Sequence, residues 1–385
     1  MGDTIVREPE WLAMLYVNAA DSEIYKVAQQ YLVDIGSAAA VVEGSVCVWV
    51  QWRFKDSKTN RFVVERFKLP KFGELQAWDR KPIADDFASA EGIGNFLSDC
   101  RNQCPNAKTL VVFHSHGSGA LGLGWMTKFT SFIDFMKQSF DVEVDDRWGL
   151  ISFEKRISAG EGEKMSPGLT LFQIGEGLKR GSSGSIIDIV MFSACFMALL
   201  ETVYQLRESC RFLLASEDIG YSTLTGNVIG QIVGKNPLKC SQLLVKNYET
   251  MRAAEKNAPL TFSAIDMGNA HHVFKAIQKL SDEVFKLPAQ ELNLAILALR
   301  LARLEAGTLG GPGANQQTTD LVRLLERFAA HSSNKVICDC ALEAIGSVSG
   351  CVAARAASEG DATAHGAHGI AIYCPAIWAP GRLPK

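Results

Sequence analysis

Two stretches of sequence decide the fold of this chain: TLVVFHSHGSG at residues 109–119 and IIDIVMFSACFMALLE at residues 186–201. The first opens with an apolar run that ends at Phe113, and the second opens with one that ends at Phe192. Runs of this length are typical of strands buried on both faces, which occur mainly in parallel sheets covered by helices. We therefore predict an α/β fold with a mostly parallel central sheet.

Residue types that can carry chemistry follow both apolar runs. His114 and His116 come directly after the first run, and Cys195 follows the second. In an open parallel sheet the active site lies at the carboxyl ends of the strands, where loop N–H groups converge. A Cys–His pair needs the imidazole within hydrogen-bonding reach of the sulfur, and two neighbouring strand ends would provide that. The pattern thus predicts a nucleophile and a base at one edge of the sheet.

Each of these residues also has a plain structural interpretation. A cysteine in an apolar run is most often a small buried side chain, and a loop histidine often only donates a hydrogen bond to the backbone. Position favours chemistry, because Cys195 stands before a predicted helix whose N-terminal dipole would lower the pKa of the thiol. His116 is followed by Gly117, Ser118 and Gly119, which let the backbone approach a ligand closely.

The rest of the chain alternates apolar runs with amphipathic stretches and becomes mainly helical after Pro237. We predict a core at residues 1–275 with an inserted loop at about 140–166. A helical region at 276–385 follows, with a strand near 369–374 that could return to the sheet. The predicted strands are 11–17, 46–54, 62–69, 109–113, 186–192 and 211–216, and the predicted helices are 22–35, 92–104, 169–179, 198–207, 238–256, 289–306, 320–330 and 336–345.

Composition and charge exclude several classes of partner. The 385 residues are 47% hydrophobic and 21% charged, the profile of a folded globular protein. The net charge is −3 and no long run of like charges occurs, so no nucleic-acid partner is expected. No apolar stretch has the length of a membrane span and the first residues lack a signal-peptide pattern, so we expect no membrane partner and a cytoplasmic location. The ten cysteines are then expected to be thiols.

No cofactor or metal is expected either. The string GSGALG at 117–122 fits the G-x-G-x-x-G pattern of dinucleotide-binding enzymes. That fingerprint normally opens the first βα unit, whereas this string comes well after it. A zinc site would have to join His114 and His116 to Cys338 and Cys340, and no ligand spacing typical of zinc supports it.

Seven strings of the sequence together resemble the clostripain family of cysteine peptidases, in the same order and over nearly the whole chain. They are WLAMLYVNAADSEIYKVAQQYL, TLVVFHSHGSG, LTLFQIGEGLKRG, IIDIVMFSACFMALLETVYQL, FLLASEDIG, LTFSAIDMG and HGIAIYCP. The resemblance implies a caspase-like three-layer sandwich and a cysteine-type endopeptidase that acts on a peptide or protein substrate. It implies a catalytic dyad of His116, the histidine followed by glycine, and Cys195 of the Ala–Cys–x–Met motif. His114 is the second choice for the base.

The mechanism that the resemblance implies is acyl transfer. The thiolate of Cys195 would attack the scissile carbonyl, while the backbone N–H groups of Gly117 and Cys195 would hold the oxyanion. His116 would protonate the leaving amine, and water would then release the thioester acyl-enzyme. No third residue is assigned to orient the imidazole.

The substrate pocket is where the sequence departs from the family. Members that cut after Arg or Lys have an Asp two residues before the cysteine and a second acid in the loop after the strand that contains the Ala–Ser–Glu string. Here the first position is Ser193 and the second falls near Thr223. Glu217 and Asp218 are neighbouring acids that could replace them as partners of a cationic side chain. A preference for basic residues is therefore not predicted.

Members of the family often activate themselves by a cut between the histidine and the cysteine. Lys179-Arg180 offers a basic site in that interval. The same residues fit an ordinary helix C-terminus with Gly181 as its cap, and we favour that interpretation. Our hypothesis is that the chain works without cleavage.

A second class of function stays open. Ser193 and the altered pocket loop are compatible with a catalytically silent caspase-fold module that binds or regulates, whereas an intact His116 and Cys195 favour an enzyme. Oligomeric state is not indicated by any pattern in the sequence.

Overall fold

The structure is a computed structural model. It describes residues 8–19, 22–42, 44–59, 61–69, 81–82, 87–117, 123, 168–218, 220, 226–252, 261–307, 309, 318–357 and 367–374. Thr223, the inserted loop predicted at about 140–166 and all but the first residue of the GSGALG string lie outside these residues.

Nine of the strands in the described part of the chain form one central sheet. The strands are β1 (Trp11–Ala19), β2 (Val46–Lys55), β3 (Phe62–Lys68), β4 (Lys81–Pro82), β5 (Lys108–His114), β6 (Ile187–Ser193), β7 (Cys210–Ala215), β8 (Thr261–Asp266), β9 (Thr318–Asp320), β10 (Val352–Ala357) and β11 (Ala371–Tyr373). Their order in the sheet is β10-β8-β7-β6-β5-β1-β2-β3-β4. The five strands from β7 to β2 run parallel, and the strands at both edges pair antiparallel.

Helices cover both faces of this sheet, which makes a three-layer sandwich. They are α1 (Ser22–Val41), α2 (Ala90–Gln103), α3 (Leu171–Ser182), α4 (Leu200–Leu206), α5 (Gly226–Gln231), α6 (Pro237–Arg252), α7 (Ala270–Phe285), α8 (Ala289–Ala306), α9 (Leu321–His331) and α10 (Lys335–Cys351). Side chains of α1, α5 and α6 share one core with one face of the sheet. Side chains of α2, α3, α4, α7, α9 and α10 share the other.

Strand β1 explains why the central strands have no polar alternation. Leu12, Met14 and Tyr16 belong to the core on one face, whereas Trp11 and Leu15 belong to the core on the other. All five side chains are buried. Since successive side chains of a strand point to opposite faces, a strand covered on both sides must be apolar at every position. The predicted parallel, doubly covered sheet is confirmed.

The region after residue 275 is more closely joined to the core than the sequence suggested. Helix α7 runs continuously across position 275, and β10 from the later region pairs with β8 in the central sheet. The strand near 369–374 is present as β11, but it pairs with β9 in a small second sheet and does not enter the central one. The division of the chain into two regions at 275 stays a prediction.

The predicted elements that the structure describes are present, although α1 and α10 end six residues later than predicted. The difference that matters for function is in the helix after Cys195. It was predicted to begin at Ala198 and begins at Leu200, with Leu199 as its cap. The residues between β6 and this helix are therefore not helical. Strands β4, β8, β9 and β10 and helices α5 and α7 were not predicted.

Candidate active site

The two motifs that end in reactive residues lie side by side in the sheet. Strand β5 pairs with β6 in parallel, and His114 is the register partner of Ser193 although 79 positions separate them in sequence. Both strands thus end at the same edge. The segments that continue from them carry His116, Gly117 and Cys195.

His114 lies in the interior and is held from two sides. Its Nδ1 is 3.0 Å from the Ser193 hydroxyl, and its ring stacks on that of Tyr31 in α1 at a centroid distance of 5.1 Å. Burial, with a smaller contribution from nearby His116, lowers the pKa of His114 to about 4. A neutral, packed imidazole of this kind is a weak base, so the geometry favours His116 over His114.

Gly117 brings the β5 segment into direct contact with Cys195. A Cβ atom added to Gly117 would lie 1.9 Å from the carbonyl oxygen of Cys195 and 2.6 Å from its nitrogen. The N–H of Gly117 is directed at the sulfur, and a hydrogen bond from it acts to lower the pKa of the thiol. Only glycine can approach another backbone this closely. His116, the residue before it, is half-buried beside this contact.

The segment after Cys195 turns sharply and is held by the loop that follows β7. Phe196 has a φ of +56°, in the left-handed region that side chains other than glycine rarely adopt. Its N–H donates to the carbonyl of Asp218 at 2.9 Å, and the N–H of Ala198 donates to the carbonyl of Ser216 at 2.8 Å. The loop after β7 therefore fixes the backbone on both sides of the turn that presents Cys195.

The pKa of Cys195 is raised, which corrects the expectation of a helix dipole that lowers it. Burial is the largest cause, and the nearby Asp218 carboxylate adds to it. Hydrogen bonds donated to the sulfur by the backbone of Gly220, Gly117 and Cys195 oppose the rise without cancelling it. The dipole is absent at this position because α4 begins five residues later, at Leu200. In this arrangement Cys195 is a thiol at neutral pH.

Gly220 is a site residue that the sequence analysis missed. The Cys195 thiol lies 3.7 Å from the Gly220 carbonyl oxygen, to which it donates. A Cβ on Gly220 would lie 2.4 Å from the carbonyl oxygen of Ala194, so this position also needs glycine. The signal was available in the string FLLASEDIG, whose last residue is this glycine.

The four residues predicted for the substrate pocket lie in different surroundings. Ser193 is buried and bonded to His114. Asp218 is fully buried close to Cys195. Glu217 faces away into the C-terminal part, where its carboxyl group accepts a hydrogen bond from the N–H of Gly369 at 3.0 Å. This placement does not favour Glu217 as a partner of a substrate side chain. Thr223 lies outside the described residues.

A small cleft opens beside the ends of β1 and β5. Its described lining includes the aromatic side chains of Tyr16, Phe87 and Phe113 together with Asn18 and Ser115. No carboxylate is among the described residues that line it. The cleft is therefore mostly apolar on the side of the site that carries His114 and Ser115.

Two further properties concern the described residues only. None of their helices has both the length and the apolar character that crossing a membrane requires. No group of three or more His, Cys, Asp or Glu side chains in these ranges is arranged to hold a metal ion.

Three solved structures are similar to this one over almost the whole chain. A secreted C11 cysteine protease of Bacteroides thetaiotaomicron called iotapain is 13% identical with a TM-score of 0.66, and the match covers 95% of this chain and 94% of that chain. A secreted C11 cysteine protease of the same organism, in complex with an irreversible peptide inhibitor, is 15% identical with a TM-score of 0.60 and covers 94% and 92%. An inactive zymogen of a C11 protease from Parabacteroides distasonis is 13% identical with a TM-score of 0.61 and covers 96% and 92%. At these identities the likeness shows the fold, a caspase-like sandwich.

Sequence comparison gives the family. A search of curated protein sequences found no match. The family described as the Clostripain family, Peptidase_C11, matches residues 164–375. This range includes Cys195, Asp218 and Gly220 but begins after His116, so the position of His116 rests on the structure. Because the match spans more than half of the 385 residues, the chain belongs to the clostripain family of cysteine peptidases.

Proposed function

We propose that the chain is a cysteine endopeptidase in which Cys195 and His116 form the catalytic dyad and hydrolysis passes through a thioester acyl-enzyme. The single observation that carries this proposal is the contact between Gly117 and Cys195. It joins the end of the β5 segment to the nucleophile and leaves His116 as the adjacent residue. The members of this family are peptidases, and one similar structure was solved in complex with a peptide inhibitor.

The chemistry follows from the protonation state of the site. Cys195 is a thiol at rest because burial raises its pKa. His116 takes the thiol proton as the sulfur attacks the scissile carbonyl carbon, and the carbonyl becomes an oxyanion. The N–H groups of Gly117 and Cys195, which already converge near the sulfur, donate to that oxyanion.

The intermediate then breaks in the productive direction. His116 gives its proton to the leaving nitrogen, the C–N bond breaks, and a thioester to Cys195 remains. Water attacks the thioester with His116 accepting its proton, and the thiol is regenerated as the acid product leaves. Each proton that leaves the thiol or water is thus returned through the same imidazole.

A peptide-library cleavage profile tests this function and finds the P1 preference at the same time. We expect the wild-type chain to cleave a subset of the library, Cys195→Ala to lose activity by roughly 10³-fold or more, and His116→Ala by roughly 10²-fold or more. His114→Ala serves as the comparison for the second choice of base. Cleavage that survives in Cys195→Ala would refute the proposal.

The competing function is a silent caspase-fold module that binds peptides without turnover. The protonated, partly enclosed Cys195 thiol is the specific observation that favours it. A panel of peptide chloromethyl ketones separates the two functions, because an active dyad gives alkylation of Cys195 that depends on His116. Binding of the same peptides without such alkylation would support the silent module.

The preference of the site for a substrate side chain is also a proposal. Among the described residues, the charge of Asp218 acts on Cys195, which supports Asp218 as the partner of a basic P1 residue. The cleft near Tyr16 would instead suit an uncharged side chain.

A cytoplasmic location is proposed from the sequence, although two of the similar structures are of secreted proteases. Fractionation of the native host with an antibody decides it.

A further inference from the structure

A short segment of the C-terminal region, residues 367–373, lies against the backbone around Cys195. We refer to these residues as the strap. Along one edge, three alternate N–H groups of the strap donate to the Cys195 side of the molecule. They are Gly369 to the Glu217 carboxyl group at 3.0 Å, Ala371 to the Ala198 carbonyl at 2.9 Å and Tyr373 to the Glu201 carboxyl group at 3.1 Å.

The other edge of the strap is held by Asp320, which ends β9 and caps α9. One carboxylate oxygen of Asp320 accepts from the N–H of Arg323 at 2.8 Å, and the same oxygen lies 2.9 Å from Nδ1 of His368. The second oxygen accepts from the N–H of His368 at 2.6 Å. The strap is thus hydrogen-bonded to two acidic residues, Glu217 and Asp320, that are distant from each other in sequence.

Glu217 and Asp320 also face each other directly. Both are buried, with 2% and 1% of their surface exposed, and they accept from the N–H groups of adjacent strap residues, Gly369 and His368. They are close enough for Asp320 to act on the pKa of Glu217. Two ionised carboxylates can only accept, so the contact becomes a hydrogen bond when one of the pair carries a proton. Burial and the charge of Asp320 raise the pKa of Glu217 well above its ordinary value, which assigns the proton to Glu217.

The loop 216–218, which carries Glu217, also fixes the backbone after Cys195. Its residues Ser216 and Asp218 supply the carbonyl groups that accept from Ala198 and Phe196 on either side of the turn after Cys195. A movement of Glu217 would therefore move the acceptors that hold this turn. The strap adds a third hold, from Ala371 to Ala198.

From these contacts we propose that Glu217 and Asp320 are positioning residues for the peptidase site: their buried carboxyl pair locks the strap to the loop 216–218 and so fixes the backbone that presents Cys195. This inference rests on the proposed function for its catalytic consequence. The lock itself is a property of the fold. Neither acid contacts the sulfur, so neither is a catalytic residue.

The charged groups around the pair come from three elements. Asp320 faces Glu217 from β9, His368 faces the pair from the strap, and Arg355 of β10 is near enough to act on Glu217. Arg355 favours ionisation of Glu217, whereas burial and Asp320 oppose it more strongly. Arg355 therefore does not remove the proton that Glu217 carries.

The lock has a definite dependence on pH. Because the pKa of Glu217 is raised in the folded state, its contribution to stability is complete below the unfolded value of about 4.5 and is lost as pH rises through the folded value. Ionisation then places two negative carboxyl groups against each other. The strap is expected to loosen on the alkaline side.

The test compares four variants with the wild-type chain. Glu217→Gln keeps an acceptor for Gly369 and a donor for Asp320, so it imitates the protonated acid. Glu217→Ala removes both, and Asp320→Asn removes the opposing charge while keeping a side chain that caps α9. Glu201→Gln is the matched control, since Glu201 binds the same strap at Tyr373 but faces no second carboxylate in the described chain.

Two readouts are needed. The first is the pH dependence of alkylation of Cys195 by iodoacetamide, mapped by peptide mass, which needs no substrate. We expect wild type, Glu217→Gln and Glu201→Gln to share one midpoint and Glu217→Ala to shift to lower pH, because a released segment is better solvated. The second is hydrolysis of fluorescent casein, in which Glu217→Ala loses kcat by roughly 10-fold to 10²-fold with little change in KM and Glu217→Gln restores it.

Thermal unfolding between pH 5 and pH 9 keeps the proposal testable if Glu217→Ala fails to fold. Glu217→Gln and Asp320→Asn should both flatten the fall in Tm with rising pH that wild type shows. Glu201→Gln should flatten it less, because burial raises the pKa of Glu201 without an opposing carboxylate. The lock is overturned if Glu217→Gln leaves the slope unchanged, or if Glu217→Ala alkylates and hydrolyses as wild type does. Loss of casein hydrolysis in every chain, with the alkylation and Tm results intact, would refute the peptidase function and leave the lock standing.

Discussion

Gly117 shows how a residue without a side chain can define the geometry of the candidate site. Its Cα lies so close to the backbone of Cys195 that no larger residue fits. The same contact directs its N–H at the sulfur, where an oxyanion would form. Close packing and transition-state binding thus place the same requirement on this position.

Substitution of Gly117 by alanine is therefore expected to separate the two strand ends. The added methyl group would lie 1.9 Å from the Cys195 carbonyl oxygen, so the segments must move apart and the oxyanion donor is displaced. We expect casein hydrolysis to fall by about 10²-fold or more. Gly346→Ala in α10 is the matched control, since a Cβ there meets nothing within 4 Å. Equal activity of the two variants would contradict this geometry.

Asp218 and Cys195 illustrate a second residue-scale effect, the influence of a buried charge on a thiol. The carboxylate adds to the burial that raises the pKa of Cys195. Asp218→Asn removes this charge and should shift the pH profile of Cys195 alkylation by iodoacetamide to lower pH. Asp266→Asn, at the distant end of β8, is a suitable control. An unchanged midpoint in Asp218→Asn would show that the carboxylate does not act on the thiol.

Residue types in the site could be predicted from sequence, whereas their orientation could not. Cys195 and His116 are predicted because each follows an apolar run typical of a central strand, and the structure pairs those two strands. Glu217 and Asp218 are adjacent acids in one loop, and nothing in their local sequence tells that one faces Asp320 and the other faces Cys195. That difference is set by the strap, which lies about 150 residues later and has no recognisable link to them.

At the scale of elements, helix α3 contains the basic pair Lys179-Arg180, the candidate site of a cut. Lys179 and Arg180 lie in its last turn, which ends at Ser182, and Ser183 rather than Gly181 is the cap, with a φ of +50°. Gly181 instead packs against Leu97 of α2, where a Cβ would lie 2.4 Å from the Leu97 Cβ. A peptidase binds its substrate extended, so a cut here would first have to unwind a packed helix.

We accordingly expect no processing at Lys179-Arg180 during purification. Intact-mass measurement of the wild-type chain and of Cys195→Ala should give masses that correspond to uncut protein in both cases. A cut that is present in wild type and absent from Cys195→Ala would show self-processing and refute the hypothesis.

Elements whose own sequence determines their structure could be predicted, whereas elements determined by tertiary contacts could not. Helix α8 has the predicted bounds, 289–306, because its composition favours a helix at nearly every position. Strand β10 was missed because its sequence VAARAA follows α10 without a break and is compatible with helix. It is a strand because it pairs with β8, which is a tertiary cause that local sequence does not contain.

At the scale of the whole molecule, the stability of the fold depends on the protonation state of His114, a buried residue of the central sheet. His114 is packed between Ser193 and Tyr31 in its neutral form. Because its pKa is lowered from 6.5 to about 4, its contribution to stability is present above pH 6.5 and is lost as pH falls towards 4. Acid should therefore unfold the chain partly through this residue.

His114→Gln should reduce that dependence on acid. Glutamine cannot be protonated but can still bond Ser193, so the variant is expected to lose about 3 kcal/mol less than wild type between pH 6.5 and pH 4. Urea unfolding at several pH values measures the difference. His271→Gln on the surface of α7 is the control. Parallel acid curves for wild type and His114→Gln would contradict the argument.

The global architecture was predictable because a doubly covered parallel sheet imposes its pattern on several strands at once. The runs at β1, β5 and β6 agree with one another, and their agreement is stronger than any one of them. The small sheet of β9 and β11 has no such redundancy, since its strands are three residues long and contain polar side chains. Short elements of that kind are fixed by what they pack against.

The strap has a consequence for the order in which the contacts around Cys195 form during synthesis. Ribosomes deliver residues from the amino end, so His116 and Cys195 emerge long before residues 367–373. Until residues 367–373 have been made, the carbonyl of Ala198 and the carboxyl group of Glu217 lack the partners that Ala371 and Gly369 supply. The backbone that presents Cys195 therefore has all of these contacts only after residues 367–373 have been made.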